Sequence, residues 1–255
     1  MRLRRLFLVA AVLAPIVTVV AAPVAAFAAE VKVAVAANFM EPAKAIAARF
    51  KARTGHDAVL SFGASGQFYT QIANGAPFEV FLSADAERPQ KAEAEGLAVP
   101  GTRFTYAVGR LVLYSKTPGL VDGKGAVLKQ PARFQKLAVA DPKTAPYGLA
   151  AMETMKTLGV DAALAPKLVQ GTSISQAYQF VETGAAEAGF VALSQVVAVK
   201  GGSRWLVPAA DHSPIDQQAV LLKTSAANPA ARAFLAFLKG PEAKAVIRKY
   251  GYEVP

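Results

Sequence analysis

The 255-residue sequence contains no cysteine. That excludes disulfides, thiolate metal ligands, a cysteine nucleophile and a lipid anchor on a cysteine, and it leaves the redox compartment open. Histidine is nearly absent too, with only His56 and His212. No His or Cys cluster has metal-ligand spacing. His56 precedes a strand-like run and His212 follows Asp211 in a polar loop, so both read as surface residues. There is no Walker A or G-x-G-x-x-G pattern, which removes the common phosphate-cradling motifs. The single tryptophan, Trp205, reads as packing. Beyond the first residues, no apolar run is long enough to span a bilayer. Acidic residues are the scarcer charge, 18 Asp and Glu against 28 Lys and Arg, for a formal net charge of +10. The excess is spread along the chain with no basic block interleaved with aromatics, so no nucleic-acid partner is expected.

What is present begins with Met1-Arg2-Leu3-Arg4-Arg5, an apolar run over 6–20, and Ala26-Phe27-Ala28. A basic start, an apolar middle and small residues before a polar one describe a cleaved secretory signal peptide, here over 1–29. The remainder is long enough for one large core or two smaller ones.

The chain is organised around Ser61-Phe62-Gly63-Ala64-Ser65-Gly66-Gln67. A strand-like run enters it and a helix-like run leaves it. First-turn N–H groups of a helix lack intrahelical partners and the dipole favours negative charge, so the stretch reads as an anion cradle to which Ser65 adds a hydroxyl. Before it, 31–37 suits a buried strand and 43–51 a helix, with Asn38 between them. A third strand over 79–84 and a helix running to about residue 95 follow, with Asp85 as a candidate cap. The extended run 104–114, broken at Gly109-Arg110, is long enough to cross between domains. A second set of units contains a strand over 137–140, a helix over 149–158, a strand at 167–170, a helix over 176–182 and a buried strand over 188–193. A return crossover at 217–222 and two closing helices, 229–239 and 242–250, complete the pattern. Alternation of this kind means an α/β fold with parallel strands, and ligands in such folds bind beyond the carboxyl ends of the strands. The reading divides the chain into lobe 1 (30–109 plus 217–255) and lobe 2 (110–216). Asn38 and Ser65 follow strand ends in the first lobe, and Tyr147 and Ile174 in the second.

A cleft between the lobes would gather these four groups. Their donors suit a small tetrahedral oxyanion, because hydrogen bonds to an ionised acceptor are stronger than neutral ones. No Lys, Arg, Asp or Glu stands in the two strand-end loops of the first lobe, and a site of donors alone disfavours an anion that carries a proton. The rival class is a secreted serine hydrolase on Ser65 with His212, although Gln67 stands where a nucleophile elbow needs glycine.

Ala34-Val35-Ala36-Ala37-Asn38-Phe39, Leu60-Ser61-Phe62-Gly63-Ala64-Ser65-Gly66, the run 75–85, Asp141-Pro142 with Pro146-Tyr147-Gly148, and Tyr250-Gly251-Tyr252 together resemble the periplasmic molybdate-binding proteins of ABC importers. The resemblance covers nearly all of the chain after the leader. It implies a two-lobed type II periplasmic binding fold with two crossover strands. It also implies a periplasmic location, molybdate or tungstate as ligand with sulfate or another oxyanion as the alternative, no catalysis, no cofactor, a membrane permease as partner and a monomeric state. Carried over by position, the contacts to the molybdate oxygens are Asn38, Ser65, Tyr147 and the backbone of Ile174, with Ala37 adding a further backbone contact. One branch of the family has a ligating tyrosine where Ala192 stands; Tyr147 takes that part in a second branch, which this sequence is closer to.

Overall fold

A computed structural model of the chain describes residues 28–225 and 227–255. The expected leader lies almost wholly outside the described residues. In chain order the elements are β1 (Glu30–Ala36), a 3-10 turn (Ala37–Phe39), α1 (Met40–Thr54), β2 (Asp57–Gly63), α2 (Ser65–Ala73), β3 (Val80–Leu82), α3 (Glu87–Ala94) and β4 (Phe104–Gly109). Then come β5 (Leu111–Ser115), β6 (Leu137–Ala140), α4 (Pro146–Thr157), α5 (Asp161–Leu164), β7 (Leu168–Gly171), α6 (Ile174–Glu182), β8 (Ala188–Ala192), α7 (Leu193–Val196) and β9 (Ser203–Leu206). The last elements are β10 (Ile215–Leu221), α8 (Pro229–Lys239) and α9 (Pro241–Lys249).

The strands form two five-stranded sheets, ordered β2-β1-β3-β10-β4 and β7-β6-β8-β5-β9. In the first, β1 runs parallel to β2 and β3, and β10 is antiparallel to both β3 and β4. In the second, β6 runs parallel to β7 and β8, while β5 is antiparallel to β8 and β9. The extended run 104–114 does pass from one sheet to the other: β4 ends at Gly109 and β5 begins at Leu111. The return strand starts at Ile215, two residues before the expected crossover, where Ile215 pairs with Gly109.

Apolar periodicity explains the layers. Ile46 and Phe50 of α1 and Phe234 and Leu238 of α8 bury against the first sheet, and Phe50 meets Phe234 edge-on with ring centroids 5.2 Å apart. Each such side chain contributes about 1.5–3 kcal/mol by leaving water. Gly55 ends α1 in the left-handed conformation, φ 75°, which needs no Cβ, and its N–H caps the Lys51 carbonyl at 2.8 Å.

Two helices start earlier than their sequence pattern suggests. Pro146 occupies the first turn of α4, so Tyr147 lies in the helix itself and not in a loop before it. Ser173 caps α6 by accepting from the Gln176 N–H, so Ile174 opens that helix. Both shifts bring a helix N-terminus to the place where the sequence suggested only a loop.

Candidate functional site

The carboxyl ends of β1, β2, β6 and β7 face one another across a small cavity of about 10 Å³. Ala37, Asn38, Ser65, Tyr147 and Ile174 all line it, and the rest of the wall is Ala36, Gly63, Ala64, Ala84, Ala145 and Pro146. The lining thus carries no charged side chain. The two sides touch around it. The Gly66 N–H donates to the Thr144 carbonyl at 2.9 Å, Arg88 Nη2 donates to the Lys143 carbonyl at 3.0 Å, and Ser175 Oγ donates to the Ala37 carbonyl at 3.3 Å. Gly66 permits the first contact, because a Cβ there would stand 2.9 Å from Thr144 Cα.

The donors are held in place individually. Ser65 is 1% exposed, and its Oγ accepts from the Ala84 N–H at 2.9 Å, which leaves its own proton to be given away. α2 and α6 bring first-turn N–H groups that have no intrahelical acceptor. Tyr147 is buried, and its hydroxyl oxygen accepts from Gln217 Nε2 at 3.2 Å. Burial pushes the Tyr147 pKa well above the ordinary tyrosine range, followed by the nearby hydroxyls of Tyr252 and Tyr106. The phenol therefore keeps its proton as a donor at neutral pH.

Asn38 departs from the sequence reading in one respect. It lines the cavity, but its side-chain amide donates to Gln217 Oε1 at 2.8 Å and to the Tyr252 hydroxyl at 3.0 Å. An amide has two protons, so both are engaged behind the cavity wall. The donor that Asn38 retains is its backbone N–H, which in the first turn of the 3-10 segment has no intrahelical acceptor. Ala192, at the end of β8, is not part of the lining, and its N–H donates to Gln195 Oε1. Asp141 takes the turn role: its carboxylate accepts from the Lys143 N–H and the Thr144 hydroxyl. Neither histidine reaches Ser65. His212 is half-buried with Nδ1 2.7 Å from the Ser213 carbonyl oxygen, and His56 Nδ1 accepts from the Ala29 N–H. The hydrolase reading therefore finds no histidine base beside its nucleophile. Among the described residues no group of three or more His, Cys, Asp or Glu is placed to hold a metal ion.

Sequence reasoning missed Gln217, Tyr252, Tyr106 and Ser194, which form the wall behind the cavity. Gln217 Oε1 also accepts from Tyr106 at 3.0 Å, and Ser194 Oγ and the Tyr252 hydroxyl oxygen both stand 2.8 Å from the Asn38 carbonyl oxygen. A partial signal was available: Gln217 and Gln218 enter a run that turns apolar at Ala219, and a buried amide needs partners.

The family model for bacterial extracellular solute-binding proteins matches residues 31–253. The chain belongs to this family. Among its relatives, the molybdate-binding protein ModA of Rhodobacter capsulatus is 62% identical to this solute-binding protein over 215 residues, covering 84% of each chain. ModA of Azotobacter vinelandii is 58% identical over 218 residues, covering 84% of this chain and 86% of that one. The solved structure of the Azotobacter vinelandii periplasmic molybdate-binding protein superposes with a TM-score of 0.85 at 43% identity, over 88% of this chain and 99% of that one. The two-lobed α/β architecture expected from the sequence is thus shared with a solved solute-binding protein.

Proposed function

We propose that this solute-binding protein is a periplasmic receptor that closes on molybdate, and on tungstate with it, and hands the anion to the membrane permease of an ABC importer. It acts as a monomer with lobes 30–109 plus 217–255 and 110–216, and it performs no chemistry. The observation that carries the reading is the cavity itself: five residues from four strand ends bring hydroxyl and backbone N–H donors, with no charged residue in the wall. Ser65 gives its hydroxyl proton, Tyr147 its phenolic proton, and Ala37, Asn38 and Ile174 their backbone N–H groups. Fixed neutral donors suffice for a dianion because each bond is charge-assisted. The same set rejects a protonated anion such as hydrogen phosphate, whose proton would meet no acceptor. The relatives named for molybdate binding, up to 62% identical, support molybdate as the guest.

Thermal unfolding of the purified protein with molybdate, tungstate, sulfate and phosphate tests this. A ligand that binds only the native state raises stability by about 2.7 kcal/mol at one hundred times its Kd. A rise with molybdate and tungstate is expected and little with phosphate; a rise with sulfate alone would replace the ligand, and no rise with any anion would overturn the receptor reading.

A further inference from the structure

We infer that Gln217 is the positioning residue that sets the proton direction of Tyr147, and so keeps the cavity a site of donors only. The inference rests on the receptor reading and goes one step behind the cavity wall.

The polarity of the network follows from one atom that cannot donate, the Asn38 backbone carbonyl oxygen. The Tyr252 oxygen lies 2.8 Å from it and 2.9 Å from Ser194 Oγ, so the Tyr252 hydroxyl proton goes to one of these two oxygens. Ser194 Oγ stands 2.8 Å from the same carbonyl and donates to it, so the Tyr252 proton is spent within this group and not on the Asn38 amide. With its proton so placed, the Tyr252 oxygen accepts from the Asn38 amide at 3.0 Å, which identifies that amide atom as the nitrogen. The same nitrogen is 2.8 Å from Gln217, so Gln217 must turn its oxygen that way. Its nitrogen then faces the Tyr147 oxygen at 3.2 Å. An amide N–H has no lone pair to offer, so the Tyr147 proton has to point elsewhere. The Tyr252 hydroxyl is one nearby acceptor, but an oxyanion in the cavity is the stronger one.

Three features show that this arrangement is built. Gln217 is fully buried, and its oxygen is shared between Asn38 and Tyr106. Gly109, paired with Ile215 on the adjacent strand, has no side chain where one would overlap the Tyr147 hydroxyl and come within 2.8 Å of Gln217 Nε2. The chain of bonds also joins three distant segments: Gln217 on β10, Tyr147 on α4 and Tyr252 after α9.

The test is a double-mutant cycle read by calorimetric titration of the purified protein with molybdate and with inorganic phosphate. Gln217→Glu keeps the oxygen that Asn38 and Tyr106 need and exchanges the donor facing Tyr147 for an acceptor, so Tyr147 turns its proton away from the cavity. The added charge weakens every anion, so the informative quantity is the difference between backgrounds. Gln217→Glu is expected to weaken molybdate at least about tenfold more in the wild-type background than alongside Tyr147→Phe, where no proton remains to be steered. The ratio of molybdate to phosphate affinity is expected to fall in the single variant, because Tyr147 then offers a lone pair to a protonated anion. Gln217→Met supplies the same comparison without a charge and keeps the cycle usable where the glutamate variant is unstable; a smaller coupling of the same sign is expected. Equal losses in both backgrounds, with the anion ratio unchanged, would reduce Gln217 to packing or charge and overturn the inference. A wild-type protein that binds no oxyanion would instead overturn the receptor reading, and this inference with it.

Discussion

Gly66→Ala should separate closure of the two lobes from stability of the fold. Gly66 is the second residue of α2, where it has no positive φ to protect. In an isolated helix the change to alanine is favourable by about 0.5–1 kcal/mol. Across the cleft the same methyl would lie 2.9 Å from Thr144 Cα and 3.1 Å from the Thr144 carbonyl oxygen, both backbone atoms that cannot swing aside. Closure would also lengthen the 2.9 Å bond from the Gly66 N–H to that oxygen. Overpacking of this kind costs about 1–3 kcal/mol and the weakened hydrogen bond about 1 kcal/mol. Together the closed state loses about 2–4 kcal/mol relative to the open one, which weakens anion binding by about 30-fold to several hundredfold. Calorimetric titration with molybdate gives the affinity, and thermal unfolding without anion gives the stability. The expected pair is an unchanged or raised melting temperature beside a large loss of affinity. Affinity within about twofold of wild type would refute the reasoning, because it would mean that the Gly66–Thr144 contact is not part of the bound state.

Ser65→Ala removes a hydroxyl that would donate to an anion, a bond of about 1.5–3 kcal/mol, so binding should weaken by about 10-fold to 150-fold in the same titration. Gly109→Ala would displace the Tyr147 hydroxyl; its affinity loss should equal or exceed that of Tyr147→Phe, and combining the two should add little. Burial pushes the Tyr252 pKa up to about 12, against the neighbouring polar groups of Ser194, Asn38, Tyr147 and Gln217, which favour the ionised form. The unfolded chain loses this proton near pH 10 and the folded one only near 12, so its stabilising effect is complete below pH 10 and is lost between 10 and 12. Two pKa steps correspond to roughly 3 kcal/mol. Chemical denaturation at pH 8, 10 and 11.5 should show stability flat over the first interval and falling over the second, with a shallower fall in Tyr252→Phe.

The strand-helix alternation was legible because buried parallel strands are short apolar runs set off by small residues, as at 31–37 and 137–140. The passage from one sheet to the other was legible because Gly109-Arg110 interrupts an extended run too long for a single strand. Asn38, Ser65, Tyr147 and Ile174 were legible as neighbours because each follows a strand end. The starts of α4 and α6 were misplaced because Pro146 and Ser173 were read as turn residues, although proline in a first helical turn and serine at a cap are both helix starters. The wall behind the cavity was legible only as a pair of amides in an extended run, without their direction or partners. Gln217 and Gln218 are adjacent and a register irregularity separates them, so the sequence does not say which amide faces inward. Tyr252 enters through a pairing with Asn38 across 214 positions, and no local pattern reports a contact of that span.

The same wall has a consequence for how the molecule assembles. The second sheet draws its strands from one uninterrupted stretch, β5 through β9, so its pairings need no segment from outside residues 111–206. The first sheet waits for β10, and the Asn38 carbonyl waits for Tyr252, so the cavity is completed by the pairings of greatest sequence separation. Such pairings pay their loop-closure entropy before they are rewarded and are the slow part of assembly. An anion that recognises only the finished cavity has nothing to hold until that step is over. Molybdate added during refolding should therefore leave the refolding rate unchanged and slow unfolding instead, making the ligand a brake on the reverse reaction alone.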